Sequence, residues 1–231
     1  MKIFEFKDYF KLFYRPGTTD EKVIDEVLKR NVYQRKKLDF VIESGDVWMD
    51  CGANIGTFSL LCLHKGAEVY AFEPEPSNFS ILNDNMRINN YSASTFLQAV
   101  HLENRKGNLF LCKGDYNKYR HSLVPRRGRS QIEVDVKSIS SILKKFPINC
   151  IKMDIEGSEI EILEKMPVGD LKRIDKIVFE YSFDFDKSIP RFIRIIDRLR
   201  TIFSMVHYDK VNPNELEYNY FPASALVFCK K

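Results

Sequence analysis

Short apolar runs alternate with amphipathic stretches along most of the chain, and the alternation sets in near residue 47. Residues 47–50 form an apolar run ended by an acid, the pattern of a strand buried on both faces. A helix over 54–64 follows, then a strand over 68–72, a helix over 77–89 and a third strand over 95–100. The region 103–136 is less regular, with 109–111 and 132–136 reading as extra strands that flank a polar loop. The alternation resumes with a helix over 138–145, a strand over 150–153, a helix over 159–166 and a strand over 176–180. Residues 189–203 carry Phe192, Ile195, Ile196, Leu199 and Phe203 at a helical period, with Arg191, Arg194 and Arg198 on the opposite, solvated face. Strands over 204–208 and 225–229 close the chain with no helix between them, which predicts an antiparallel edge hairpin. Strands separated by helices predict a mostly parallel sheet. The expected architecture is an α/β, three-layer, Rossmann-like fold on a seven-stranded sheet.

Ahead of this frame, residues 2–14 are rich in aromatics and Arg15-Pro16-Gly17 punctuates them. Thr19 or Asp20 is placed to cap a helix reaching about residue 37, with Val23, Val27 and Leu28 on its apolar face. Residues 1–45 are therefore expected to form an N-terminal helical segment covering the site, 103–136 a substrate-side insertion, and 1–231 a single domain. A hydrophobic fraction of 44% suffices for a sizeable core, and a net charge of +4 is too mild to imply a nucleic-acid partner by itself. No apolar run approaches the roughly 20 residues that span a bilayer, and Lys7, Asp8 and Lys11 break up any leader, so no membrane insertion is expected. Cys51, Cys62, Cys112, Cys150 and Cys229 are scattered, odd in number and without C-x-x-C spacing. That argues against a disulfide framework or a zinc site and points to a reducing, cytoplasmic setting.

The sharpest feature is the segment Val47-Trp48-Met49-Asp50-Cys51-Gly52-Ala53-Asn54-Ile55-Gly56-Thr57, a buried strand running into a glycine turn that opens a helix. Gly52 is expected to let the backbone bend and approach a ligand, and Gly56 to let the helix pack closely. Glu73 ends the next strand, where open α/β sheets place an acid on a ribose diol. A dinucleotide fold would show G-x-G-x-x-G, and the turn here is G-x-x-x-G, so the pyrophosphate cradle is missing. S-adenosylmethionine (SAM) has no phosphate, and its ammonium suits Asp50. An ordinary strand-turn-helix that binds nothing is the bland alternative.

Asp50-Cys51-Gly52-Ala53-Asn54-Ile55-Gly56 resembles the first SAM-binding motif of the FkbM-type methyltransferases. Ala71-Phe72-Glu73-Pro74-Glu75-Pro76-Ser77-Asn78-Phe79 is similar to that family's second motif, and Lys152-Met153-Asp154-Ile155-Glu156-Gly157-Ser158-Glu159 to its K-x-D-x-E-G-x-E segment. Gly17 to Asp20 and Tyr33 also resemble some members. Two departures are Cys51, where the family commonly has a small or apolar residue, and Ser138-Ile139-Ser140 in place of a frequent Leu-Asp pair. The resemblance implies a class I methyltransferase fold, SAM as cofactor with S-adenosylhomocysteine as product, and O-methylation of a sugar or polyketide-type hydroxyl. On this basis Asp50, Gly52, Asn54, Gly56 and Thr57 of the first motif, with Glu73, Pro74, Asn78 and Ala99, are the expected cofactor-binding positions.

Methyl transfer to an alcohol requires an aligned oxygen and a base for its proton. Asp154, Glu156 and Glu180 end the fourth and fifth strands of the frame, and Asp154 is the expected base. Glu156, with Asp154, is expected to hold the SAM amino group or a substrate hydroxyl, and Glu180 to meet the substrate. Capping of the following helix is the plain alternative for Glu156 and Asp154. The three carboxylates could ligate magnesium, although no diagnostic ligand spacing accompanies them and a metal is not expected. Among the histidines, His121 is the base candidate because it lies in the polar insertion; His101 follows the third strand near an adenine edge, and His64 and His207 read as surface or core residues. The insertion carries Lys113, Lys118, Arg120, Arg126, Arg127 and Arg129, with Tyr116 and Tyr119 able to stack on a sugar or a base, so a solvated loop, a substrate lid and a nucleic-acid contact all stay open.

Three functions therefore compete. The leading one is a SAM-dependent O-methyltransferase acting on a glycan or a glycosylated small molecule. An RNA methyltransferase is disfavoured by the low charge and by the missing Asn/Asp-Pro-Pro-Tyr/Phe signature. A non-catalytic module would have lost the strand-end carboxylates, and they are present.

Overall fold

An interior strand with almost no solvent-facing side organises the molecule: in β3 (Val47–Cys51), Trp48, Met49, Asp50 and Cys51 are all buried. The computed structural model describes residues 1–7, 9–112, 121–125, 128–183, 185–186, 188–209 and 224–231. β3 pairs in parallel with β4 (Glu68–Phe72) on one side and β9 (Cys150–Met153) on the other. β5 (Ser94–Phe96) continues the sheet beyond β4, and β10 (Lys176–Ser182) continues it beyond β9, both in parallel. β12 (Ser224–Lys230) lies antiparallel between β10 and β11 (Met205–Tyr208). The order β11-β12-β10-β9-β3-β4-β5 is the seven-stranded, mostly parallel sheet with an antiparallel end that the sequence pattern predicts.

Neighbouring residues of a strand face opposite sides of the sheet, so Trp48 and Met49 enter different cores. On the Met49 side lie α4 (Ile139–Lys145), α5 (Ser158–Lys165) and α7 (Ile189–Arg200), through Ile139, Ile160 and Phe192. On the Trp48 side lie α2 (Thr57–His64) and α3 (Pro76–Ile88), through Phe58 and Leu82. α6 (Val168–Leu171) is a single turn, too short for any periodicity to announce it. All five cysteines are free thiols, and no helix among the described residues is long and apolar enough to cross a membrane.

Three parts differ from the sequence pattern. The opening segment is not wholly helical: β1 (Lys2–Phe6) and β2 (Phe10–Tyr14) form an antiparallel hairpin, with Phe4 opposite Leu12 and Phe6 opposite Phe10. Aromatic and β-branched side chains suit a pleated, half-buried surface better than a helix. The helix that follows, α1 (Asp20–Ile24), runs into a π-turn at Asp25–Lys29 and stops well before residue 37. Asn31 takes the left-handed conformation, φ +51°, that commonly ends a helix. The third predicted strand is split. Its second half, β6 (Ala99–His101), leaves the main sheet and pairs with β8 (Ser130–Ser138), which also pairs with β7 (Arg105–Leu111). The expected insertion is thus built on a small separate sheet with its own cluster of Ala99, Leu109, Val134 and Val136.

Candidate active site

The parallel strands end along one edge, and there a cavity of about 410 Å³ opens between the strand-end turns and the N-terminal segment. Its floor is the glycine turn after β3. Gly52, at φ +76°, is required for a reason the sequence does not show: a Cβ there would lie 2.1 Å from the Asp154 carbonyl oxygen. The close approach is therefore to the neighbouring strand-end turn, although Gly52 also lines the cavity. Gly56 does not line it; a Cβ there would strike Leu82 and Met86 of α3, which is the close helix packing expected.

Asp50 is not positioned to meet a ligand. Its carboxylate is fully buried beneath the turn, accepting from the Ser59 hydroxyl at 2.7 Å and pairing with Lys152 Nζ at 3.1 Å. Lys152 also donates to the Gly52 carbonyl at 2.9 Å, so one side chain of β9 ties down both the strand end and the turn of β3. Burial pulls the Lys152 pKa down, but Asp50 and Asp154 outweigh it and the ammonium is held above its ordinary value. The strand is buried on both faces, so the sequence alone cannot tell which face Asp50 takes.

Glu73 stands at one end of the cavity, only 5% exposed. Its two oxygens accept the backbone N–H groups of Asn54 and Glu75 at 2.8 and 2.9 Å. Burial outweighs these bonds and pushes its pKa up to about 7. Asn78, on α3, lines the cavity and supports Glu73 while its side-chain oxygen accepts from Arg15 at 2.7 Å. Glu75 caps α3 instead, accepting from Ser77 and Asn78 N–H. Pro74, Ala99, Val100 and Leu109 supply apolar wall beside Glu73.

Asp154 and Glu180 stand at the other end. Asp154 Oδ2 accepts the Tyr33 hydroxyl at 2.8 Å. Burial, reinforced by the charge of Asp154 and eased by a hydrogen bond from Ser224, pushes Glu180 up to about 7. Glu156 lines the same wall; its carbonyl accepts from Ser122 at 2.6 Å. Asn54 and Glu156, in the two turns that meet at Gly52, both sit at φ +53°, a conformation that asparagine tolerates and that costs glutamate roughly 1 kcal/mol or more, strain of a kind that clusters at functional sites.

The site also shows unmet polar capacity. Thr57 and Ser158 are the first residues of α2 and α5, line the cavity and are buried, and neither hydroxyl has a hydrogen-bond partner among the described residues. A buried polar atom without a partner costs about 1–3 kcal/mol, so these residues suit a polar ligand. With the fixed carboxylate of Glu73, they fit the ribose and amino-acid parts of SAM.

The Methyltransferase FkbM domain family matches residues 50–208, well over half the chain. The chain belongs to the FkbM methyltransferase family. Among characterised relatives, methyltransferase sdnD of Sordaria araneosa is 26% identical over 57% of this chain and 64% of its own length. The hexuronic acid methyltransferase AglP of Haloferax volcanii is 29% identical over 62% of this chain and 59% of its own length. The 31-O-demethyl-FK506 methyltransferase FkbM of Streptomyces tacrolimicus is 25% identical over 74% of this chain and 77% of its own. The chain thus spans less than two thirds of the first two.

The histidines and the insertion of this FkbM-family chain are placed as follows. His101 is outside the cavity, 3.6 Å from Glu161 on α5. His121 does line it, and its Nδ1 accepts the Cys112 N–H at 3.1 Å. His64 stacks on Tyr9 and His207 pairs with Asp209. Among the described residues no group of three or more His, Cys, Asp or Glu side chains could hold a metal ion, so Asp154, Glu156 and Glu180 do not form a ligand set. Lys113, Tyr116, Lys118, Tyr119, Arg120, Arg126 and Arg127 lie outside the described residues. Sequence reasoning gave Tyr33 and Lys152 no role. The K-x-D spacing was a usable signal for Lys152, because residues two apart on a strand share a face.

Proposed function

We propose that this enzyme transfers the methyl group of SAM to a hydroxyl of a sugar or of a glycosylated small molecule. The observation that carries the reading is that Glu180, Asp154 and Glu73 line one cavity, with burial and the charge of Asp154 pushing Glu180 up to about 7. SAM supplies, when bound, a methyl group on a sulfonium, an electrophile that needs alignment more than activation.

Glu73 would accept both ribose hydroxyls, with Pro74, Ala99 and Val100 against the adenine. Gly52, Asn54, Thr57, Ser158 and Glu156 surround the space left for the amino-acid end, a task that buried Asp50 cannot share. Glu180 then takes the proton of the acceptor hydroxyl. A carboxylate with a proton affinity near neutrality is a stronger base than an ordinary one and is still substantially ionised at pH 7. Asp154, favoured as the base on sequence grounds, is already engaged by Tyr33 and serves beside it.

The acceptor side of the cavity mixes cations with acceptors: Lys22 and Arg30 beside Glu26, and Arg35 beside Asp209. Closely spaced donors and acceptors of both signs suit a polyol. RNA would ask for an uncompensated basic surface. A relative named for hexuronic acid supports a sugar acceptor, and one named for 31-O-demethyl-FK506 supports transfer to oxygen. The test is release of S-adenosylhomocysteine during incubation with arrays of monosaccharides, nucleotide sugars and RNA. Release with sugars alone supports the reading, and release with RNA alone overturns it.

A further inference from the structure

We infer that Arg15 is a positioning residue for the ribose-binding carboxylate: by donating to the Asn78 side chain it turns that amide, and with it the first turn of α3, toward Glu73. The inference rests on the reading of Glu73 as the ribose contact. Arg15 lies ahead of residues 50–208, the segment that the family matches, and it does not line the cavity.

The N-terminal segment meets α3 through three asparagines, Asn78, Asn85 and Asn89, whose spacing puts them along one face of that helix. The Asn85 side chain accepts the Phe13 N–H at 2.5 Å and donates to the Phe13 carbonyl at 3.1 Å. It also donates at 2.8 Å to the Ile55 carbonyl in the glycine turn. Asn89 pairs with the backbone of Lys11 in the same way, at 2.8 and 2.6 Å. Arg15 completes the row at the cavity end, where its guanidinium donates to Asn78 Oδ1 at 2.7 Å and to the Ser77 hydroxyl at 3.2 Å.

The guanidinium is itself held in place. Asp20, fully buried, accepts from its Nε and Nη2, both at 2.8 Å, and from the Arg15 backbone N–H at 2.9 Å. Two parallel bonds to one carboxylate set the plane of a guanidinium as well as its place. The Thr18 hydroxyl donates to the Arg15 carbonyl at 2.7 Å and accepts the Asp20 N–H at 3.2 Å, which fixes the turn between the two. Burial pulls the Arg15 pKa down, but Asp20, Glu75 and Glu73 outweigh it.

Hydrogen-bond chemistry then decides how Asn78 faces Glu73. A guanidinium has only donors, so the amide beside it must present its oxygen, which leaves the NH2 group for the other side. On that side the Asn78 side chain supports the Glu73 carboxylate. A second route runs through the backbone: Glu75 accepts the N–H groups of Ser77 and Asn78, and its own N–H goes to Glu73 Oε1 at 2.9 Å. Without the guanidinium, the Asn78 amide can turn over and set oxygen against oxygen, and the first turn of α3 loses its tie to the N-terminal segment.

The test is a double-mutant cycle of R15M, E73A and R15M/E73A, read as calorimetric binding of S-adenosylhomocysteine. R15M should weaken binding by about tenfold with Glu73 present and by less than about twofold in the E73A background, because a residue that acts through Glu73 has nothing to position once that side chain is gone. Equal losses in both backgrounds would make Arg15 a support of the fold in general and overturn the inference, as would wild-type affinity in R15M. Wild-type affinity in E73A is a separate result: it removes the ribose reading itself and the inference with it. If R15M does not fold, R15K goes through the same cycle with the same criteria, since it keeps the charge and lacks the planar fork that meets Asp20 and Asn78 together.

Discussion

Lys152 Nζ lies 3.1 Å from Asp50 Oδ1, with the two side chains 5% and 0% exposed. The contact joins the first family-like motif to the third, and Lys152 also holds the Gly52 carbonyl, so it ties the two strand-end turns together. Removing one partner of a buried pair strands a charge, at about 3–5 kcal/mol, whereas replacing both by apolar groups of similar volume is often close to neutral. K152M and D50N should each lower the urea unfolding free energy by several kcal/mol, and D50L/K152M should lose less than the sum of the D50L and K152M losses. Additive losses would mean that the pair is not coupled.

Glu73 should govern cofactor affinity. A hydrogen bond to a charged group carries roughly 1.5–3 kcal/mol, so E73A should weaken SAM binding by about 2 kcal/mol, about 30-fold, in calorimetry. E75A should change it little, because that side chain caps α3. Wild-type affinity in E73A would remove Glu73 from the site.

The raised proton affinity of Glu73 has a stability consequence with a definite sign. Its pKa in the folded protein, about 7, lies above the ordinary 4.5, so the folded state holds the proton more tightly than the unfolded state. Ligand-free stability should therefore fall as pH rises from about 4.5 to about 7, by on the order of 3 kcal/mol from this group. E73Q should flatten that part of the profile and raise the melting temperature at pH 8. An equally steep profile in E73Q would assign the effect elsewhere.

Turnover should depend on Glu180 more than on Asp154. E180Q should lower kcat by roughly 10²-fold or more, the usual scale of base removal, with SAM affinity retained. The acidic limb of the wild-type rate profile should fall near pH 7, and D154N should move it to lower pH by taking away the neighbouring charge. A D154N enzyme as slow as E180Q with an unmoved limb would return the role of base to Asp154.

The acceptor should not behave as a polyanion. Turnover should change less than about tenfold between about 50 and about 200 mM salt, where a ligand held by many phosphate contacts would lose roughly 10³-fold or more. A steep salt dependence would favour nucleic acid.

How much of this was legible in the sequence follows from the range over which each determinant acts. β3, β4 and β9 could be read because strands buried on both faces leave unbroken apolar runs, and the place of Glu73 beside the cavity because it directly follows the end of β4. The face taken by Asp50 could not be read, since both faces of β3 are buried against helices. The hairpin at residues 2–14 was hidden by aromatics that suit either a helix or a strand, and the helix end at Asn31 by a backbone conformation that many residues avoid but asparagine tolerates. Tyr33 was hidden by distance, because its partner lies 121 residues away and only the closed fold brings them together.

The most direct test of methyl transfer to a hydroxyl is carbon-13 NMR of the product formed from SAM labelled at its methyl carbon, using whichever sugar in the array releases S-adenosylhomocysteine. The account predicts a single new methyl ether signal on a sugar oxygen, abolished in E73A at low SAM and in E180Q. A labelled N-methyl or methyl ester signal, or label recovered only in RNA, would contradict it.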